Sequence, residues 1–174
     1  MSQTHLSIRR LSAALAVLLA ACGTRSSVQQ QGTASNTDAE TSAARAEIEA
    51  TTTDLTRWLS TGAVDSAASR LTDDYHFLPP DAQPDSGHVN FVRVVKGMLA
   101  AGKTSQQNTM ESLVASGPIA VSRGRVIATF TPGAGAPKGA KASVDTLKYL
   151  WQWRRVDGRW LLAAAAWNAN SPRR

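Results

Sequence analysis

A single cysteine, Cys22, serves the whole chain of 174 residues, so no disulfide can form within it. A lone thiol also excludes zinc sites built from paired cysteines. Acidic residues are scarce, 13 against 19 lysines and arginines, and the formal net charge is +6. The basic residues are scattered, apart from Arg154, Arg155, Arg159 and the pair Arg173–Arg174. Without a long basic stripe, a nucleic-acid role is not expected, and the excess charge reads as a solvated surface. Also missing is any apolar run near the roughly 20 residues that a membrane-spanning helix requires. What is present is 43% apolar residues, enough for one packed domain.

The N-terminal stretch carries the clearest signal. Arg9-Arg10 precedes the apolar segment Leu11–Ala21, which is too short to span a bilayer and reads as a removable export signal. It ends in Leu19-Ala20-Ala21-Cys22. An aliphatic residue, two small residues and a cysteine resemble the lipobox of bacterial lipoproteins. There the small residues admit the backbone to a peptidase, and the thiol takes the lipid. Residues 1–21 are therefore expected to be the signal peptide and Cys22 the lipidation site. Gly23 stands where aspartate would signal inner-membrane retention, so the expected location is the outer membrane facing the periplasm, if the source is Gram-negative. Residues 22–40 are rich in Ser, Thr, Gln and Ala, with Val28 as the one aliphatic side chain of the stretch Gly23–Asp38. Such a composition reads as a flexible tether. Residues 171–174 read as a basic tail.

The domain is expected over residues 41–170. Ile48, Leu55 and Leu59 share one helical face, and Thr61-Gly62 stops that helix. A short helix, Val64–Leu71, and a strand, Tyr75–Leu78, follow, ended by Pro79-Pro80. His88–Ala101 reads as a third helix. Strands are expected over Gln106–Ser116, Ile119–Thr131, Val144–Val156 and Arg159–Asn168. Gly117-Pro118 and the hairpin dipeptide Asp157-Gly158 separate them. Helices first and strands afterwards give an α+β class, with helices on one face of a curved, mostly antiparallel sheet.

Two segments, Leu71-Thr-Asp-Asp-Tyr-His-Phe-Leu-Pro-Pro80 and Tyr149-Leu-Trp-Gln-Trp-Arg-Arg-Val-Asp-Gly-Arg-Trp160, together with Trp167-Asn168, resemble the NTF2-like superfamily, in particular its SnoaL-like branch known as DUF4440. The resemblance covers most of the chain beyond Cys22. It implies a cone, a bent sheet wrapped around three helices with a pocket between them, and dimers formed through the sheet. It does not imply one function, because members include isomerases, dehydratases, cyclases and binding modules. In the steroid-isomerase branch a proton-shuttling acid ends the strand and a tyrosine on the first helix donates to the oxyanion. Counted from Gly62, those positions here are Pro79 and Leu55, which cannot move protons.

Other candidate chemistry is weaker. His76, Asp81, Asp85 and His88 match no strong ligand spacing, so no metal and no cofactor is expected. Asp73-Asp74 reads as a turn-capping pair rather than a catalytic one. Gly133–Gly139 lacks the Lys-Ser/Thr order and the following helix of a phosphate loop. Tyr149, Trp151 and Trp153 share a strand face, either as core or as an aromatic pocket wall. The expected pocket residues are Leu55, Tyr75, Phe77, Trp153 and Asn168, and the only acid–base candidates are Tyr75 and His76. The expectation is a membrane-anchored, homodimeric lipoprotein domain that binds a small apolar ligand or an envelope partner. The alternative is a SnoaL-like enzyme of dehydratase, cyclase or isomerase type.

Overall fold

The computed structural model describes the backbone of residues 23–79 and 83–169, and side chains from residue 37 onward. The signal segment, Cys22, Asp81 and the tail 171–174 lie outside the described residues. The chain divides into two units, Met1–Asp38 and Ala39–Arg174. The elements, in order, are α1 (Gly23–Thr61), α2 (Val64–Ala68), β1 (Leu71–Leu78), β2 (Asp85–Ser86), α3 (His88–Ala101), β3 (Gly102–Ser116), β4 (Ile119–Pro132), β5 (Ser143–Val156) and β6 (Arg159–Ala169).

The tether expectation needs correction, because α1 starts at Gly23. The segment has no proline, and its Gln, Ala and Arg residues are good helix formers. Low hydrophobicity argued against a core there, which is a weaker statement than arguing against a helix. Further along α1, Ala44, Ile48, Thr51, Thr52 and Leu55 are buried at helical spacing. Thr52 donates its hydroxyl to the Ile48 carbonyl at 2.8 Å, so its burial leaves no donor unmet. The helix ends in a Schellman-type turn: Gly62 has φ +80°, and the Ala63 amide donates to the Trp58 carbonyl at 2.9 Å.

Six strands form one sheet in the order β2-β1-β6-β5-β4-β3. The β1–β6 pair is parallel and the rest are antiparallel, as expected for this α+β class. The β5–β6 hairpin turns on Asp157 (φ 48°) and Gly158 (φ 79°), the two positive values that a type I′ turn requires. β1 begins at Leu71, four residues before the expected start, and the short helix ends correspondingly early at Ala68. The core joins α1 to the sheet through Ile48, Leu55, Leu71, Val126, Trp151 and Trp153, among others.

Two bulges decide which side chains face the helices. In β3 the register shifts between Met110 and Ser112. In β6, Leu162 pairs with Trp153 and Ala164 with Gln152, so Ala163 is the extra residue. Trp160 and Leu162 are buried before the bulge, and Ala165 is buried after it. The inward parity therefore changes from even to odd numbers.

Candidate functional site

A partly open cavity of about 140 Å³ lies between α1, α3 and the sheet. The end of α1 supplies Leu55, Thr56 and Leu59, and α3 supplies Phe91, Val94, Val95 and Met98. The sheet floor is Tyr75, Phe77, Trp151, Leu162 and Trp167. β2 and Gly87 add Asp85 and Ser86 at one side, and β3 adds Gln106 and Asn108. Two helices whose apolar faces the sequence shows thus place seven of the lining residues, and the strands place ten.

Five aromatic rings line this space and brace one another. Tyr75 meets Phe91 edge-on at 5.9 Å between centroids, and Phe77 meets Trp167 edge-on at 5.4 Å. Trp151 stands 6.4 Å from Trp167. Such contacts add about 0.5–1.5 kcal/mol each beyond area burial, so the rings are held rather than loose.

Polar groups are few. Tyr75 is 4% exposed and lines the cavity, and its hydroxyl has no hydrogen-bond partner among the described residues. Burial raises its hydroxyl well above the ordinary tyrosine range, so it is a neutral donor at any physiological pH. Asn108 donates through Nδ2 to the Thr56 hydroxyl at 2.7 Å, and Thr56 donates to the Thr52 carbonyl at 2.9 Å. Asn108 Oδ1 and the indole N–H groups of Trp151 and Trp167 are buried without partners among the described residues. Among the described residues, Asp85 is the only acidic or basic one in the lining. Its Oδ1 accepts from the Ser86 amide at 2.8 Å, and its Oδ2 stands 3.4 Å from Arg93.

Leu55, Tyr75 and Phe77 thus stand together in one cavity, while two other expected pocket residues do not. Trp153 is fully buried, and its indole N–H donates to the Ser122 hydroxyl at 2.9 Å. It is core, not pocket wall. Asn168 is exposed on the opposite face of the sheet, beside Lys148. The bulge at Ala163 accounts for this, because it turns Trp167 inward and Asn168 outward. His76 is exposed on β1, facing away from Tyr75, so these two cannot share a substrate. Pro79 is not in the lining, whereas Leu55 is. None of Ala163 to Ala166 is part of the lining. Asp73 and Asp74 are exposed on β1 rather than in a turn, and Asp74 pairs with Arg154.

His88 sits apart from the lining. Its Nε2 lies 3.1 Å from the Leu71 carbonyl and its Nδ1 lies 3.9 Å from Asp73. Among the described residues no group of three or more His, Cys, Asp or Glu is arranged to hold a metal ion. The residues that sequence reasoning missed are Phe91, Trp151, Trp167 and Asp85. Trp151 and Trp167 carried a signal, as aromatic residues on the last two strands. Asp85 carried no pocket signal, since it stood out only within a set of residues whose spacing matches no ligand pattern.

The SnoaL-like domain family matches residues 40–165 of the chain. No curated protein matches it. Among solved structures, a conserved protein from Planctomyces limnophilus shares 23% identity over 73% of this chain and 98% of its own, with a TM-score of 0.63. A ketosteroid isomerase-like protein from Erwinia carotovora atroseptica shares 19% over 73% and 96%, also with a TM-score of 0.63. An NTF2-like protein with a cystatin-like fold from Novosphingobium aromaticivorans shares 12% over 75% and 84%, with a TM-score of 0.61. At these identities the likeness is one of fold.

Proposed function

The chain belongs to the SnoaL-like domain family, and from that premise we propose that its domain binds a small apolar ligand in the cavity without transforming it. The observation that carries this reading is the lining: aromatic and aliphatic walls around the neutral hydroxyl of Tyr75, which has no partner among the described residues. Apolar walls with a few fixed polar groups are the usual build of a ligand site. A cavity near 140 Å³ suits a molecule of one ring, since an engineered apolar cavity of about 150 Å³ takes up benzene. Proton transfer needs a base within about 2.6–3.2 Å of its proton. The isomerase-type positions are held by Leu55 and Pro79. One feature favours the enzyme alternative, namely that Tyr75 and Asp85 share the cavity. Titrating the purified domain with benzyl alcohol, followed by the fluorescence of its cavity tryptophans, is expected to give a saturable change. A linear, unsaturable response would remove the reading.

In the same proposal the domain is held at the membrane by lipid on Cys22, with the outer membrane facing the periplasm as its location. Among the described residues no helix is long and apolar enough to cross a membrane. A single acyl chain binds membranes only marginally, with K of about 10⁴ M⁻¹, so stable anchoring uses more than one. Metabolic labelling with a fatty acid is expected to mark the wild type and not Cys22→Ser. An unlabelled wild type would contradict the anchor.

We also propose a homodimer through the open sheet face, where Val114, Val121, Ile127, Val144 and Leu150 are between 41% and 70% exposed. Isolated exposed apolar residues are ordinary, but a shared sheet face of them marks an interaction surface. Sedimentation equilibrium at micromolar concentration is expected to give twice the monomer mass, and a strict monomer would refute the dimer.

A further inference from the structure

We infer that the cavity selects organic cations, small aromatic amines in particular, over neutral and anionic molecules of the same shape, an inference that rests on the ligand-binding reading above. Two features of the lining converge on this chemistry. The first is aromatic density: Tyr75, Phe77, Phe91, Trp151 and Trp167 surround the space, which is half of the chain's ten aromatic side chains. Ring faces carry partial negative charge and attract ammonium groups, indole faces most strongly. The second is the carboxylate of Asp85, the one formal charge in the lining among the described residues. No lysine, arginine or histidine among the described residues is part of the lining, so an anionic ligand meets no counter-charge from them.

Asp85 is partly engaged but not used up. A carboxylate has about four acceptor positions. The Ser86 amide takes one, at 2.8 Å. Arg93 approaches the other oxygen at 3.4 Å, a long contact, and its side chain is 67% exposed. The contact is long and the Arg93 end is largely exposed, so Arg93 can turn to solvent when an ammonium group arrives. Asp85 itself is sheltered, with its side chain 26% exposed, so its field inside the cavity is weakened less by water.

The alternatives on the molecule carry less. The exposed sheet face belongs to the dimer proposed above. The depression around Glu111, Arg123, Arg125 and Lys148 mixes both signs of charge on exposed side chains, and Glu111 already bridges both arginines.

Benzylamine, benzyl alcohol and benzoate form a near-isosteric set with one positive, one neutral and one negative member. Tryptophan fluorescence titration at neutral pH is expected to rank the amine about tenfold tighter than the alcohol, with benzoate weakest. Asp85→Asn keeps the acceptor for the Ser86 amide and is expected to bring the amine to the alcohol's affinity. Arg93→Gln, which alters no lining residue, is expected to tighten the amine further. Thermal melts of both variants establish that they are folded. An amine no tighter than the alcohol, or a preference that survives in Asp85→Asn, would overturn the inference while leaving the cavity a ligand site. Failure of all three compounds to bind would overturn the binding reading itself, and the inference with it.

Discussion

Trp153→Ala is expected to destabilise the domain by about 3–5 kcal/mol, the usual cost of truncating a fully buried large aromatic side chain. Trp153 is 0% exposed, and its indole N–H meets Ser122, which is also fully buried. Truncation opens a void and also strands the serine hydroxyl, which adds about 1–3 kcal/mol if nothing replaces the bond. Domains of this size are stable by about 5–15 kcal/mol, so the loss is a large fraction of the total. The midpoint of thermal unfolding is expected to fall by about 10–20 °C, measured by circular dichroism. Trp153→Phe, which keeps a ring but not the donor, is expected to fall by less than half as much. A shift of under about 3 °C for the alanine variant would mean that Trp153 is not the core residue described.

Val94→Trp is expected to do the reverse, leaving the fold and removing the site. Val94 lines the cavity from α3 and is 37% exposed, so a larger side chain there has room to start. An indole directed inward occupies much of the 140 Å³ that a ligand would use. Affinity for benzyl alcohol is expected to drop at least about 100-fold, close to 2.7 kcal/mol. The melting midpoint is expected to stay within a few degrees or to rise, because filling a void restores contacts. Retained affinity would place the binding site elsewhere on the molecule.

The contrast between these two residues shows how much could be read in the sequence. Local chemistry was legible wherever it acts locally. Gly62, Gly117-Pro118 and Asp157-Gly158 punctuate the chain where the elements end, because each turn needs its own residue types. The apolar spacing of Ile48, Leu55 and Leu59 identified the α1 face that meets the core and the cavity. Facing within the strands was not fully legible. Alternation puts Trp151 and Trp153 on one face, but only packing separates the ring that ends in the cavity from the ring closed over by Ser122.

The error over Asn168 has a single cause. One extra residue at Ala163 reverses the parity of everything after it in β6, and four consecutive alanines hide where it sits. Asp85 was hidden for another reason. It reaches the cavity because β2 pairs with β1, Asp85 opposite Phe77, and a two-residue strand leaves no periodic trace in sequence. Low hydrophobicity before Thr41 misled in the opposite direction, since Gln, Ala and Arg are good helix formers.

Recovery of ligand shows whether the apolar cavity holds a molecule and releases it unchanged. The wild-type domain and Val94→Trp are each equilibrated with a membrane extract, separated from free solute and examined by native mass spectrometry. Bound material is then extracted and compared with the input. The expected result is an adduct of one small molecule on the wild type, absent from Val94→Trp and chemically identical to the compound supplied. A wild type that retains nothing, or one that yields its ligand dehydrated, isomerised or cyclised, would contradict it.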